Sequence, residues 1–138
     1  MHVGQEYRSD AIEVAFARML AFSGRDLDTP GWPAKNLHTD QQKAEEAGFP
    51  GPIASAIQAE AHAIRLLESV VGDAWFTSGV LNLKIVKPLF AGDTYMVRMV
   101  VKDKEEHDKG TRYVFEIFAE KENGETAASG TAEVTLES

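Results

Sequence analysis

The stretch that decides the fold is NLHTDQQKAEEAGFPGPIASAIQAEAHAIRLLESVV, residues 36–71. It opens with a loop that contains a lone histidine, His38. Asp40 stands where an N-cap would begin a short helix, and Gly48 is a natural stop for that helix. After a Pro-Gly-Pro turn, a longer helix is predicted over about residues 55–71. The histidine is therefore expected in a loop beside the start of the longer helix.

The longer helix combines an apolar stripe with many small side chains. The stripe follows helical spacing and consists of Ile57, Ala61, Ile64, Leu67 and Val71. Further alanines make the helix thin on several sides, at positions 54, 56, 59 and 63. Because a thin helix can be wrapped closely by other elements, we expect it at the centre of the fold.

The residues before this stretch predict one helix and one long loop. Asp10 and Glu13 have the spacing of a capping box, and the helix they would open ends near Gly24. Residues 25–37 then form a loop rich in proline and glycine. Loops of this length without structure of their own are often functional.

The second half of the chain changes from helical to alternating periodicity, beginning at Trp75. Asn123-Gly124 is a strong hairpin signal between two of the alternating segments. The predicted strands are 81–86, 95–102, 115–120 and 127–135. Helices followed by an antiparallel meander of four strands indicate an α+β domain in which one helix packs on a curved sheet.

Composition limits the function classes. The chain of 138 residues has the size of one domain, 1–138, and its net charge of −8 argues against general nucleic-acid binding. It contains no cysteine, no long apolar run and no N-terminal signal-peptide pattern. We therefore expect a cytoplasmic protein without a membrane segment.

Three segments together resemble one family. The first is Asn36–Asp40 with Ala44, Gly48-Phe49 and Pro52–Ala56, the second is Leu83–Leu89 with Gly92–Thr94, and the third is Ala128–Val134. In this order and spacing they resemble the MaoC-like dehydratases, which include the (R)-specific enoyl-CoA hydratases. The resemblance covers nearly the whole chain and implies a hot-dog fold, an antiparallel β-sheet wrapped around a long central α-helix.

The resemblance also implies an activity and an assembly. Two subunits would join their sheets in a homodimer or a higher homo-oligomer, with the active site near the start of the central helix. That site would hold an acyl thioester of coenzyme A or of acyl carrier protein. An aspartate and a histidine would move a water molecule across a carbon–carbon double bond, and no metal or other cofactor would be required.

The chemistry explains why these residue types are needed. Adding water to an enoyl thioester requires a base for the water, a proton for the α-carbon and a donor for the developing enolate oxygen. Histidine suits the first task because imidazole titrates near neutral pH. An unpaired N–H group at a helix N-terminus suits the last task, since it lies in a positive field. His38 is the expected acid or base.

The sequence departs from the family pattern at the catalytic aspartate, where Pro33 stands. Residues 25–35 look like an insertion that contains Asp26 and Asp28. Either carboxylate could fold back to the histidine, and Asp28 is the preferred candidate. Asn36 is a further polar neighbour that could orient a water molecule.

Three other residues, Ala56, Ser55 and Trp32, complete the expected site. Ala56 replaces a glycine of the family but keeps the backbone N–H that would bind the thioester oxygen. Ser55 is expected to cap the central helix, with substrate contact as the alternative. Trp32 could line an acyl pocket or anchor its loop, and His62 is interpreted as an interfacial or packing residue.

The leading hypothesis is a hydratase or dehydratase that acts on an acyl thioester. The alternative is a catalytically altered hot-dog protein. It would be either a cyclase or isomerase that uses His38, or a non-catalytic partner subunit that binds thioesters.

Overall fold

An antiparallel sheet packs around one long helix. The computed structural model describes all 138 residues. Its helices are α1 (Phe16–Ser23), α2 (Gln41–Glu46), α3 (Ala56–Val71) and α4 (Ala74–Ser78). Its strands are β1 (Glu6–Arg8), β2 (Ile12–Glu13), β3 (Val80–Ile85), β4 (Thr94–His107), β5 (Gly110–Lys121) and β6 (Thr126–Glu137). None of the helices combines the length and apolar character that crossing a bilayer requires.

The sheet has six strands in the order β1-β4-β5-β6-β3, with β2 also paired to β4. The predicted meander is confirmed for β4, β5 and β6, which are antiparallel neighbours. It is wrong for β3, which pairs with β6 instead of β4. The reason is that residues 86–93 carry the chain from one end of the sheet towards the other. On the way, Phe90 bridges to Ile53, next to the start of α3.

Alternation along β4 and β5 supplies one wall of the core. The inward side chains of β4 are at most 1% exposed and comprise Tyr95, Val97, Met99 and Val101. Those of β5 are Phe115, Ile117 and Ala119. Because successive side chains of a strand point to opposite faces, the residues between them form the outer face of the sheet.

The central helix supplies the other side of the core. Its buried apolar residues are Ala59, Ala63, Leu66, Leu67 and Val71. The predicted stripe was partly wrong, because Ile57 is 61% exposed in the isolated chain. The helix instead turns Ala63, Leu66, Leu67 and Val71 into the core that it shares with the sheet.

The capping box predicted at Asp10 does not form. Ile12 and Glu13 pair with Tyr95 and Thr94 of β4, so their backbone groups are satisfied by the sheet. α1 begins only at Phe16, and its N-cap residue makes no side-chain capping bond. The pairing of Ile12 and Glu13 with β4 is therefore more favourable than the capping box at Asp10, which would have contributed about 1 kcal/mol.

The strand predicted over residues 81–86 is confirmed as β3, but the change to alternating periodicity comes at Val80 and not at Trp75. Trp75 belongs to the short helix α4 and is buried in the core. β3 forms the far edge of the sheet from β1, and it exposes Val80 and Ile85. Val86, directly after this strand, is exposed as well.

Candidate active site

The loop histidine is held against the segment that leads into α3. The Nδ1 atom of His38 lies 2.7 Å from the carbonyl oxygen of Ile53. The N–H of Ile53 donates in return to the carbonyl of Leu37 at 3.2 Å. A carbonyl oxygen can only accept, so Nδ1 must carry the hydrogen. The neutral imidazole therefore presents Nε2 as an acceptor, which is the form that a general base requires.

Asn36 fixes the loop around the histidine. Its Oδ1 atom accepts the backbone N–H of His38 at 2.9 Å, and its Nδ2 group donates to the carbonyl of Ser23 at 2.8 Å. The buried hydroxyl of Thr39 donates to the carbonyl of Ala34 and accepts the N–H of Asn36. Both ends of the Asn36 amide are thus engaged with the backbone.

The start of α3 presents unpaired backbone donors. Ala54 donates its N–H to the carbonyl of Leu89 at 2.8 Å, which ties the helix entry to the loop before β4. In the first turn, the N–H groups of Ala56 and Ile57 have no acceptor. Ser55 is the N-cap residue by its backbone, but its hydroxyl is buried and makes no hydrogen bond. With the backbone N–H of Ser55, which also has no acceptor, three N–H donors and one hydroxyl are therefore free where the helix begins.

The short helix behind the histidine follows the sequence expectation. Asp40 is the N-cap of α2, and its carboxylate accepts the N–H of Lys43 at 3.0 Å. This carboxylate is used for capping, as the sequence predicted.

The insertion closes on itself. Ala34 donates its N–H to the carbonyl of Gly24 at 2.9 Å, which joins the two ends of the loop. The indole N–H of Trp32 donates to the carbonyl of Arg25 at 3.1 Å, and its ring is half-buried. These bonds make Trp32 an anchor of its own loop.

The two carboxylates of the insertion point to solvent. Asp26 and Asp28 are exposed, and neither side chain forms a hydrogen bond or an ion pair. The only hydrogen-bond partner of the His38 ring is the Ile53 carbonyl. No three His, Asp or Glu side chains cluster in a way that could hold a metal ion.

The structure thus joins His38 and Asn36 to the start of α3, where Ser55 and Ala56 lie. The Ile53 carbonyl is the hydrogen-bond partner of the His38 ring, and sequence reasoning missed it. A backbone acceptor leaves no residue-type signal, so only the chain path can place it.

A family model described as MaoC like domain matches residues 34–122, well over half of the chain. The chain belongs to the MaoC-like family. The uncharacterized protein YdeM of Bacillus subtilis is 26% identical over 106 residues, which are 75% of this chain and 71% of YdeM.

Two solved structures show the shared fold. The MaoC-like dehydratase from Rhodospirillum rubrum has a TM-score of 0.78 at 22% identity, covering 99% of this chain and 93% of that one. The (R)-hydratase from A. caviae involved in PHA biosynthesis has a TM-score of 0.76 at 23% identity, covering 99% and 97%. The expected hot-dog fold is therefore confirmed for this MaoC-like chain.

Replacing Asn36 by aspartate tests its hold on the loop. We expect Asn36→Asp to lower the free energy of unfolding by about 1–3 kcal/mol, because a carboxylate oxygen would face the Ser23 carbonyl. Urea denaturation measures the change. Asn82→Asp is the matched control, since Asn82 is exposed on β3. Equal stability of the two variants would contradict a positioning role for Asn36.

Proposed function

We propose that this MaoC-like protein is a hydratase or dehydratase of acyl thioesters, with His38 as general acid and base. One observation carries the proposal: the Nδ1–H of His38 is engaged by the Ile53 carbonyl, beside the unpaired N–H groups that open α3. A base with a defined tautomer and a donor for negative charge are the two groups that hydration needs.

In the proposed mechanism, the imidazole of His38 takes a proton from water and then transfers the same proton to the substrate. Nε2 of His38 takes a proton from water as the water oxygen bonds to the β-carbon. The π electrons move to the α-carbon and the thioester oxygen, where the N–H of Ala56 donates to the developing enolate. The imidazolium then returns its proton to the α-carbon, so that one H and one OH have been added. Dehydration is the reverse sequence.

The position of the Ala56 N–H group stabilises the negative charge that develops on the thioester oxygen. At a helix N-terminus the unpaired N–H groups and the helix dipole both favour negative charge. A single donor of this kind contributes about 10²–10³ in rate in enzymes that stabilise an oxyanion. Ala56 supplies such a donor even though it carries a methyl group.

The remaining predicted contacts concern the substrate. The Ser55 hydroxyl lacks a partner and is proposed to contact the thioester, while the half-buried ring of Trp32 is proposed to border the acyl chain. The carrier is coenzyme A or acyl carrier protein. The carrier and the absence of cysteine in the chain favour a cytoplasmic location.

A homodimer is part of the proposal. β3 is an edge strand, and its exposed Val80 and Ile85 are followed by exposed Val86. An edge with unpaired backbone groups and apolar side chains is favourable for pairing with a second strand. Pairing through β3 would also cover the exposed apolar side chains at this edge.

Removing the imidazole is the primary test. Across a panel of enoyl-CoA thioesters, we expect His38→Ala to reduce hydration by about 10²–10⁴-fold, as for loss of a general base. The fold should persist, because His38 lies in a half-buried loop and outside the core. His107→Ala, at an exposed position in β4, is the matched control and should retain activity.

Two outcomes of this assay bear on the alternatives. Unchanged hydration by His38→Ala would move the chemistry to other residues. If the unsubstituted protein binds an enoyl-CoA and converts none of the panel, the alternative of a catalytically altered hot-dog protein is supported. The chain would then be a thioester-binding partner subunit, or a cyclase or isomerase that uses His38.

The role of the insertion is tested by its two aspartates. Asp28 is still the sequence-based candidate for a second proton carrier, but its exposed carboxylate supports His38 acting alone. We then expect Asp28→Asn and the control Asp26→Asn to change turnover by less than about threefold, since neither holds a transferred proton. A selective loss of about 10²-fold in Asp28→Asn would restore the two-residue mechanism.

Light scattering tests the assembly. We expect a mass of twice 15.1 kDa at micromolar concentration. Val80→Lys should shift the protein towards the monomer, because it places a charge at the β3 edge. Val3→Lys is the control, since Val3 is exposed near β1 at the other end of the sheet. A monomer mass for the unsubstituted protein would remove the dimer from the proposal.

A further inference from the structure

A cavity lies between α3 and the N-terminal segment, residues 8–18. Its volume is about 470 Å³, which is within the range of small-molecule sites. Arg18, His62 and Arg65 line it together with apolar side chains such as Ile12 and Leu66. It therefore offers both a charged region and an apolar surface.

The two arginines are without carboxylate partners. Neither Arg18 nor Arg65 forms an ion pair, although the chain as a whole carries a net charge of −8. In contrast, Arg98 pairs with Glu120, and Arg112 pairs with Glu133. Arg8 also borders the cavity, but its guanidinium is occupied by Glu6. The free positive charge at this cavity is therefore that of Arg18 and Arg65.

Buried polar atoms without partners lie beside the same cavity. The Nε2 atom of His62 and the hydroxyl of Tyr95 are buried and make no hydrogen bond. The two rings are arranged edge to face, with their centroids 5.9 Å apart. Tyr95 is only 1% exposed. The other such atoms belong to Ser55 and Gln58, which lie nearer the start of α3 and do not line this cavity. Buried polar groups are nearly always hydrogen-bonded, so a cluster of unpartnered ones requires an explanation.

The charges that His62 experiences are positive. Burial lowers the pKa of the His62 imidazole, and the positive charges of Arg18 and Arg65 lower it further. Burial raises the pKa of the Tyr95 hydroxyl, which Arg18 opposes. Asp10 and Glu13 also line the cavity, but neither carboxylate contributes to these pKa shifts. The part of the cavity at His62 is thus favourable for a negative group.

We infer that this cavity binds a small organic molecule through an oxyanion, a carboxylate or phosphate held by Arg18 and Arg65. Guanidinium groups bind both oxyanions strongly, through charge-assisted hydrogen bonds. The cavity is larger than a bare ion needs, so the body of the ligand contacts Ile12 and Leu66.

The cavity is separate from the candidate active site. His62 lies seven residues beyond Ser55, which is about 10 Å along the helix axis. The cavity also borders β1 and β2, whereas the proposed dimer edge is β3 at the other end of the sheet. The oxyanion belongs either to a free metabolite, and the inference is then independent of the hydration chemistry, or to the phosphates of coenzyme A, and the inference then rests on the proposed function.

The test follows the imidazole resonances of His62 by NMR while ligand is added. The probes are inorganic phosphate, butyrate and coenzyme A at equal ionic strength, with His62→Gln used to assign the signal. A bound oxyanion favours the imidazolium, so we expect a saturable shift and a His62 titration midpoint at higher pH. The charged groups that also set this midpoint are Arg18 and Arg65. Tyr95 faces the imidazole, and Asp10 and Glu13 line the cavity wall.

Two variants and a control decide the outcome. Arg65→Met and Arg18→Met should each weaken phosphate and butyrate binding about tenfold or more, as loss of a charge-assisted hydrogen bond does. Arg25→Met should leave binding unchanged, since Arg25 is also unpaired but lies outside the cavity. Arg65 is an exposed helix position, so methionine should preserve the fold.

The probes also distinguish the two sources of the oxyanion. Saturable binding of phosphate or butyrate indicates a free metabolite, and binding of coenzyme A alone indicates the carrier. Absence of any saturable shift with all three probes would overturn the inference. Equal weakening by Arg25→Met and Arg65→Met would overturn it too, because only the general charge of the protein would then matter.

Discussion

Close approach between α3 and the sheet is the constraint on which the rest of the molecule depends. Ala63 is 1% exposed and lies in the same core cluster as the inward side chains of β4 and β5, so its small side chain lets the helix backbone come near them. Interiors are packed as densely as organic crystals, so a larger side chain at this position would push the sheet away.

The position of the helix start follows from that packing. The chain leaves β3 at one edge, crosses near the start of α3 and enters β4, which lies next to β1 at the other end of the sheet. The crossing segment and the histidine loop both bond to the backbone before α3, through Leu89 and Leu37. The unpaired N–H groups and the imidazole are thus brought together by chain connectivity, with the helix as the fixed reference.

The sequence predicted features that rest on local rules. Asp40 caps α2, α3 lies within one residue of its expected bounds, and Asn123-Gly124 connects β5 to β6. Local rules failed where strand pairing between residues distant in sequence determined the structure. Glu13 joined β4 instead of capping a helix, and β3 joined β6 because the connection crosses the sheet.

For the candidate site, the location of His38 in a loop beside the start of α3 was predictable, because both belong to a motif of residue types. The Ile53 carbonyl was not, since every residue carries the same carbonyl and only the folded path selects one. The positions of Asp26 and Asp28 were equally out of reach, because the shape of an inserted loop depends on its own internal bonds.

The hydrogen bond from the Ala34 N–H to the Gly24 carbonyl joins the two ends of the insertion in a narrow neck, so the insertion is a structural module. Because its ends meet through one hydrogen bond, a change of length or composition between them leaves the register of Asn36 and His38 intact. Long surface loops are tolerated thermodynamically, and they are where specificity changes most readily. Evolution can therefore exchange the loop that carries Trp32 while His38 stays in place. The same division would let an engineer graft another loop at this neck.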